Sequence, residues 1–347
     1  MIDLINKLYG TKSLSKEEFT YLIKNRTPKI SEYLFENADC VRRSIYDTDV
    51  YIRGLIEISN YCKNDCFYCG IRNSNSCATR YRLTKDDILD CCREGYNLGF
   101  RTFVMQGGED EYFTDDVLCD IIREIKGEYS DCAVTLSLGE RSRESYQKLF
   151  LAGADRYLLR HETAENEHYK RLHPSYLSLE KRKECLYNLK EIGFQVGTGF
   201  MVGSPFQKEE NLAADMCFLN ELKPHMVGIG PFIPHAQTPF KDFSAGTVEL
   251  TVFMLALIRI MLPSSLIPAT TALATADIHG REKALKAGAN VIMPNLSPTR
   301  LRAFYSLYDG KVHTNEEAAE GLNKLKKQVE KTGYKIVTSR GDYKNYC

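Results

Sequence analysis

The chain has 347 residues, 43% hydrophobic and 27% charged, with 46 basic and 46 acidic side chains. That length can bury the core of one α/β barrel. The zero net charge sets up no overall field toward nucleic acid or a membrane surface. The N-terminus lacks a basic-then-apolar signal pattern. The most apolar stretch, residues 250–262, is interrupted by Arg259 and is shorter than the roughly 20 residues a membrane span needs. It reads as a buried barrel helix. Twelve cysteines without a secretion signal point to free thiols or metal ligands in a reducing compartment, so the expected setting is cytoplasmic.

In chain order, residues 1–50 read as a helical N-terminal extension. Ser15 and Glu18 make a capping box, and Phe19, Leu22 and Ile23 follow as one apolar face. From Arg53 onward strand-like runs alternate with amphipathic helices. Strands are expected at 54–59, 102–106, 133–138, 155–160, 195–201, 226–231, 267–271 and 290–294. Helices are expected at 85–98, 115–126, 143–152, 179–192, 209–222 and 247–261. Glycines 99, 153, 193 and 288 follow helical segments, as C-terminal caps do. Repeated strand–helix units imply a parallel sheet, and about eight of them imply a complete (βα)8 TIM-type barrel over 51–310. An open doubly wound sheet is the alternative. Residues 311–347 read as a C-terminal helical extension of the same single structural domain.

The first barrel strand runs into Cys62-Lys63-Asn64-Asp65-Cys66-Phe67-Tyr68-Cys69-Gly70. Its C-x3-C-x2-C spacing falls in the loop after strand one, at the barrel face where catalytic groups gather. Three thiolates hold three irons of a cubane and leave the fourth open to a chelating ligand. A structural zinc is the alternative, but it normally takes four ligands in two separated pairs, and Cys77 or His161 would have to complete the set.

This motif resembles that of the radical S-adenosylmethionine (SAM) enzymes, and the resemblance implies one 4Fe–4S cluster on Cys62, Cys66 and Cys69 with SAM on the open iron. The second strand ends in Gln106-Gly107-Gly108-Glu109, similar to the family's Gly-Gly-Glu motif at the methionine amino group; alone it would read as a tight polar turn. Tyr68 resembles the aromatic whose backbone meets the adenine. The stretch Gly228-Ile229-Gly230-Pro231 would leave room for that ring, or serve helix packing.

Within the superfamily the chain resembles the HydE family of FeFe-hydrogenase maturases. The resemblance lies in Thr135-Leu136-Ser137-Leu138-Gly139-Glu140, Tyr157-Leu158-Leu159-Arg160-His161-Glu162-Thr163, 226–235, 267–272 and 289–295. It implies that Glu162 and Arg182, with Gln106 and Tyr68, hold the ribose and carboxylate of SAM. It further implies a substrate pocket of Thr135, Ser137, Arg160, Met226, Thr270 and Thr271. Arg160 offers a planar fork to a carboxylate, or a salt bridge to Glu162. Thr135 and Ser137 also fit ordinary strand alternation. The implied substrate is a small organometallic iron species bearing CO, cyanide and a cysteine ligand. The implied partners are the radical SAM and GTPase maturases and an electron donor. No cysteine lies in Lys311-Val312-His313-Thr314-Asn315-Glu316-Glu317 or the helix after it, where some family members carry a second cluster, so a single cluster is expected.

Several other residues read as structural. Cys91, Cys92, Cys119, Cys185 and Cys217 fall in helices as buried small hydrophobes, and Cys347 is terminal. His161 and His235 suit structural hydrogen bonds. Tyr305 and Tyr308 could line the barrel or anchor a helix. Rival readings are a methylornithine synthase acting on lysine, a biotin-synthase-like sulfur transferase, and a non-catalytic Fe–S scaffold.

Overall fold

Helices α1 (Ile2–Thr11), α2 (Lys16–Lys24) and α3 (Pro28–Tyr46) lead the chain in a computed structural model that describes residues 1–312 and 318–344. Cys347 and residues 313–317 lie outside the described residues. The Ser15 hydroxyl accepts the Glu18 N–H at 3.2 Å while the Glu18 carboxylate accepts the Ser15 N–H at 2.9 Å, the reciprocal cap that the spacing predicts. Phe19, Leu22 and Ile23 are buried.

Strand β1 (Asp49–Ile52) passes through Arg53 into β2 (Gly54–Ser59). β3 (Thr102–Gly107), β4 (Ala133–Ser137), β5 (Arg156–Leu158) and β6 (Gln195–Thr198) follow in parallel register. β7 (Met201–Val202) continues β6 outward, and β9 (Gly230–Pro231) continues β8 (Met226–Val227); β7 and β9 pair with each other. The hydrogen-bonded order β2-β3-β4-β5-β6-β8 becomes a ring through single parallel bridges. These join Met226 to Leu266, Pro268 to Val291 in β10 (Val291–Ile292), and Asn295 to Leu55. The barrel is therefore closed, as expected. The seventh strand is reduced to single bridges, because Pro268 has no N–H to donate and the next helix starts directly after Thr270.

The outer layer is α4 (Lys85–Asn97), α5 (Asp115–Glu128), α6 (Arg143–Leu151), α7 (Asn166–Leu172), α8 (Leu179–Ile192), α9 (Glu209–Leu222), α10 (Val248–Met261), α11 (Thr271–Ala276) and α12 (Gly280–Lys286). Gly193 ends α8 with φ 110°, a conformation open to glycine but costly for other residues. Helix α10 is buried from Thr251 to Met261. Arg259, fully buried within it, is satisfied by the carbonyls of Gly288 and Pro263 and by Asn290 Oδ1. Among the described residues no helix is long and apolar enough to cross a membrane.

After α13 (Thr299–Arg302) and α14 (Ala318–Glu330), the chain adds β11 (Lys335–Val337) beside β1. The sequence reading holds only helix here. The following turn crosses the lower mouth of the barrel, where Thr102, Arg156 and Gln195 begin their strands. The buried Arg156 guanidinium reaches Asp342 Oδ1 at 2.6 Å and the Arg340 carbonyl at 2.8 Å, and Arg340 reaches Asp155 at 2.9 Å. Burial pushes the Asp342 carboxyl up, but bonds from Arg340, Arg156 and Gln195 outweigh it and hold the group well below the usual carboxylate range. A carboxyl with a depressed folded pKa contributes stability above its unfolded value and loses it as pH falls. Asp342→Asn should therefore lower the melting temperature near neutral pH. It should also flatten the loss of stability below about pH 4, measured as thermal unfolding across a pH series.

Candidate active site

The loop after β2 has little freedom. Arg80 donates to the carbonyls of Ile71 and Arg72 at 2.8 and 2.6 Å. Backbone bonds tie Lys63 N to Glu109 O (3.0 Å), Phe67 N to Leu172 O (3.0 Å) and Gly70 N to Leu307 O (2.9 Å). The loop is thus moored to the end of β3, to α7 and to the segment after α13. Asp110, bonded by Ser59 and by both arms of Arg82 at 2.6–2.9 Å, locks its entry.

Cys62, Cys66 and Cys69 form one wall of a cavity of about 300 Å³ at the C-terminal mouth of the barrel. Burial pushes all three thiols up, Cys69 to about 12, and mutual repulsion adds to the effect at Cys66 and Cys69. Thiolates crowded in this way need a cation, and bound iron inverts the balance. Among the described residues no three His, Cys, Asp or Glu side chains converge as ligands of one metal ion do; thiols on separate corners of a cubane are not required to. The Glu109 N–H points at Cys62 Sγ from 3.4 Å, a bond of the kind that tunes cluster potential. Gly108 has no room for a side chain, since a Cβ there would lie 2.2 Å from the Tyr61 carbonyl oxygen and 2.6 Å from Cys62 Cβ. The donor set and this cradle fit a cluster held by three cysteines.

The same cavity is lined by Gln106, Gly107, Glu109, Ser137, Arg160, Glu162, Arg182 and Thr270, and by Tyr68 of the cluster loop itself. Arg160 and Glu162 approach at 3.0 Å, the pairing weighed from sequence. Their contacting atoms, Nη2 and Oε2, make an ion pair without hydrogen-bond geometry, and Arg160 Nε and Thr270 Oγ1 are buried with no hydrogen-bond partner. Arg182 is drawn to Glu140 at 2.6 Å and donates to the Arg160 carbonyl at 3.3 Å. His173 Nδ1 must donate to the Tyr169 carbonyl 3.0 Å away, which leaves Nε2 to accept the Tyr68 hydroxyl at 3.1 Å. Burial holds that imidazole neutral, down to about 3, so the tautomer fixes Tyr68.

Four residues stand elsewhere. Thr135 and Met226 are buried and do not line this cavity; the Met226 sulfur accepts from Arg53 at 2.9 Å. Thr271 begins α11 and lines a separate cavity toward α14, because adjacent helical residues point about 100° apart. The Ile229 side chain packs in the apolar layer among α10 residues, so no part of its side chain faces the cavity. Tyr305 and Tyr308 do line it, with the Tyr305 hydroxyl accepting from Gln106 at 3.2 Å. His161 bonds Thr198 and His235 accepts the Gln237 N–H, both structural. Cys91, Cys92, Cys119 and Cys185 are buried, and Cys217 is partly so.

Residues 56–219 match the model of the Radical SAM superfamily. The [FeFe] hydrogenase maturase subunit HydE of Thermotoga maritima is 45% identical over 329 residues, 93% of this chain and 94% of that protein. The chain belongs to the HydE family of radical SAM enzymes. The 3-methylornithine synthase of Methanosarcina acetivorans is 27% identical over 80% of this chain and 79% of its own. Crystalline methylornithine synthase shares the fold with a TM-score of 0.83 at 24% identity, covering 96% and 97% of the two chains. HydG, another FeFe-hydrogenase maturase, does so with a TM-score of 0.83 at 20% identity, covering 97% of this chain and 76% of that one. As a HydE-family enzyme, this chain uses a 4Fe–4S cluster and SAM.

Two outcomes follow for the cluster. Anaerobic reconstitution should load about four irons per chain, one cubane's worth; about eight irons would contradict the single-cluster expectation. Gly108→Ala should lose most of that iron, because the backbone of the cluster loop would have to move to admit the methyl group. Full iron loading in this variant would show that the close approach is not required.

Proposed function

We propose that this chain is a cytoplasmic FeFe-hydrogenase maturase that acts on a small, cysteine-bearing iron–CO–cyanide precursor during assembly of the di-iron subcluster. One observation carries the reading: the cavity that the three thiols line also bears the Arg160–Glu162 ion pair, which has no aligned hydrogen bond, and a buried Thr270 hydroxyl with no hydrogen-bond partner.

Cys62, Cys66 and Cys69 would hold the cluster and leave one iron without a protein ligand, where SAM would bind. Gly107, Gly108 and Glu109 receive the methionine amino group. Glu162, Arg182, Gln106 and Tyr68 hold the carboxylate and ribose, and backbone at Ile229 bounds the adenine. When bound, the reduced cluster and SAM supply methionine and a 5′-deoxyadenosyl radical. The remaining cavity, with Arg160, Ser137 and Thr270, orients a carboxylate-bearing substrate; Thr135 and Met226 lie deeper in the barrel. The desolvated walls keep water from the reacting atoms. Thr271 serves the start of α11 rather than the pocket. Partner maturases, one a radical SAM protein and one a GTPase scaffold, deliver and accept the iron species, and a separate donor supplies the electron.

The test is anaerobic maturation of apo FeFe-hydrogenase with the other maturases and SAM, adding this protein as wild type or Cys66→Ala. Hydrogen evolution restored only by the wild type supports the proposal. SAM cleavage without rescue would discard the maturase reading, and lysine would be the next substrate tried. No 5′-deoxyadenosine under strong reductant would leave a scaffold. Arg160→Lys should still cleave SAM yet lose maturation by about tenfold or more, because a point charge cannot replace a bidentate fork.

A further inference from the structure

Behind the cavity wall lie three fully buried polar side chains with no part in the reaction as read above: Thr198 in β6, His161 after β5, and Asp215 in α9. Thr198 Oγ1 and His161 Nδ1 are 2.8 Å apart. His161 Nε2 lies 3.3 Å from Asp215 Oδ1, and the same oxygen accepts the Ala164 N–H at 2.5 Å. Asp215 therefore holds the chain after Glu162 by a hydrogen bond and meets His161, before it, by a close contact in which Nε2 makes no hydrogen bond.

Glu162 needs such a grip. Its φ is +64°, and the Thr163 N–H donates to the His161 carbonyl at 2.8 Å, a bond across a single residue. A positive φ under that bond is the strained form of the γ-turn, and such strain persists only where the surroundings over-determine it. The turn also faces two side chains into the cavity and one behind it. Arg160 and Glu162 line the cavity, while His161 packs on Phe218 with ring centroids 4.9 Å apart. Burial pushes the Asp215 carboxyl up and the His161 imidazole down, which leaves an uncharged pair suited to an apolar layer. Burying a carboxyl with one unpartnered oxygen, Oδ2, is unfavourable in itself, so this arrangement does not add stability over an apolar filling of the same space.

We propose that Asp215 and His161 are positioning residues for SAM, clasping the turn at 161–164 so that the Glu162 carboxylate is held toward the cavity. The inference rests on the reading of Glu162 as a SAM ligand.

Its test is the SAM affinity of the full-length, cluster-loaded protein, measured anaerobically by equilibrium dialysis, with iron content and thermal unfolding followed in parallel. Asp215→Ala should bind SAM about tenfold more weakly at unchanged iron content. Asp215→Asn keeps a neutral group with an acceptor for Ala164 and should restore affinity to within about threefold of wild type. His161→Leu removes the other arm and should weaken binding in the same direction; it carries the test if Asp215→Ala does not fold. Glu162→Gln should weaken SAM binding by itself, and adding Asp215→Ala to it should weaken binding no further. A lowered melting temperature with wild-type SAM affinity in the Asp215 and His161 variants would overturn the clasp. So would strictly additive losses in the double variant. Wild-type affinity in Glu162→Gln would instead overturn the SAM-ligand reading of Glu162, and the clasp with it.

Discussion

Cys62, Cys66 and Cys69 share one wall of the cavity at the barrel mouth, where burial makes each thiol hard to ionise and mutual repulsion adds to it at Cys66 and Cys69. Much of the upper barrel can be understood as holding that unfavourable arrangement until a cation relieves it. The loop's backbone is moored at Glu109, Leu172 and Leu307, so three elements distant in sequence share the load. Gly108 brings the end of β3 against the loop more closely than any side chain would allow. These moorings are made by the protein's own backbone groups, so the fold itself sets the course of the cluster loop.

A second constraint shapes the rest of the cavity. Charged groups in a desolvated space are costly unless paired, and Arg160 with Glu162, Arg182 with Glu140, are close ion pairs without aligned hydrogen bonds. Such pairs leave nitrogen and oxygen atoms available to a ligand that carries both charges, as an amino acid or its derivative does. The lower mouth is sealed differently. There Arg156, Arg340, Asp155 and Asp342 satisfy one another, so the ionic groups at that end stabilise the closed barrel instead of awaiting a ligand.

The sequence carried the chemistry further than the geometry. Cysteine spacing and the glycines after β3 were legible because backbone contact with a cluster constrains residue type locally. The bounds of α8 and α9 coincide with those expected from sequence, and Gly193 marks the end of α8. The seventh strand is shorter than expected, since residues 266–269 still bridge both neighbours while Pro268 has no N–H and the next helix starts after Thr270. Thr270 and Thr271 looked equivalent and are not, because a helix begins between them. The ionic seal at Asp342 and the Asp215 grip on Glu162 join residues more than 50 positions apart, and neither has a local pattern. A positive φ at Glu162 likewise has no signature in a non-glycine residue.

Three cysteines on a cubane would leave one iron open for SAM. Hyperfine spectroscopy of the reduced, reconstituted protein with SAM labelled at the methionine nitrogen reads that contact. The wild type should show a coupling of that nitrogen to the cluster. A reduced cluster without coupling at saturating SAM would mean that the open iron does not receive SAM.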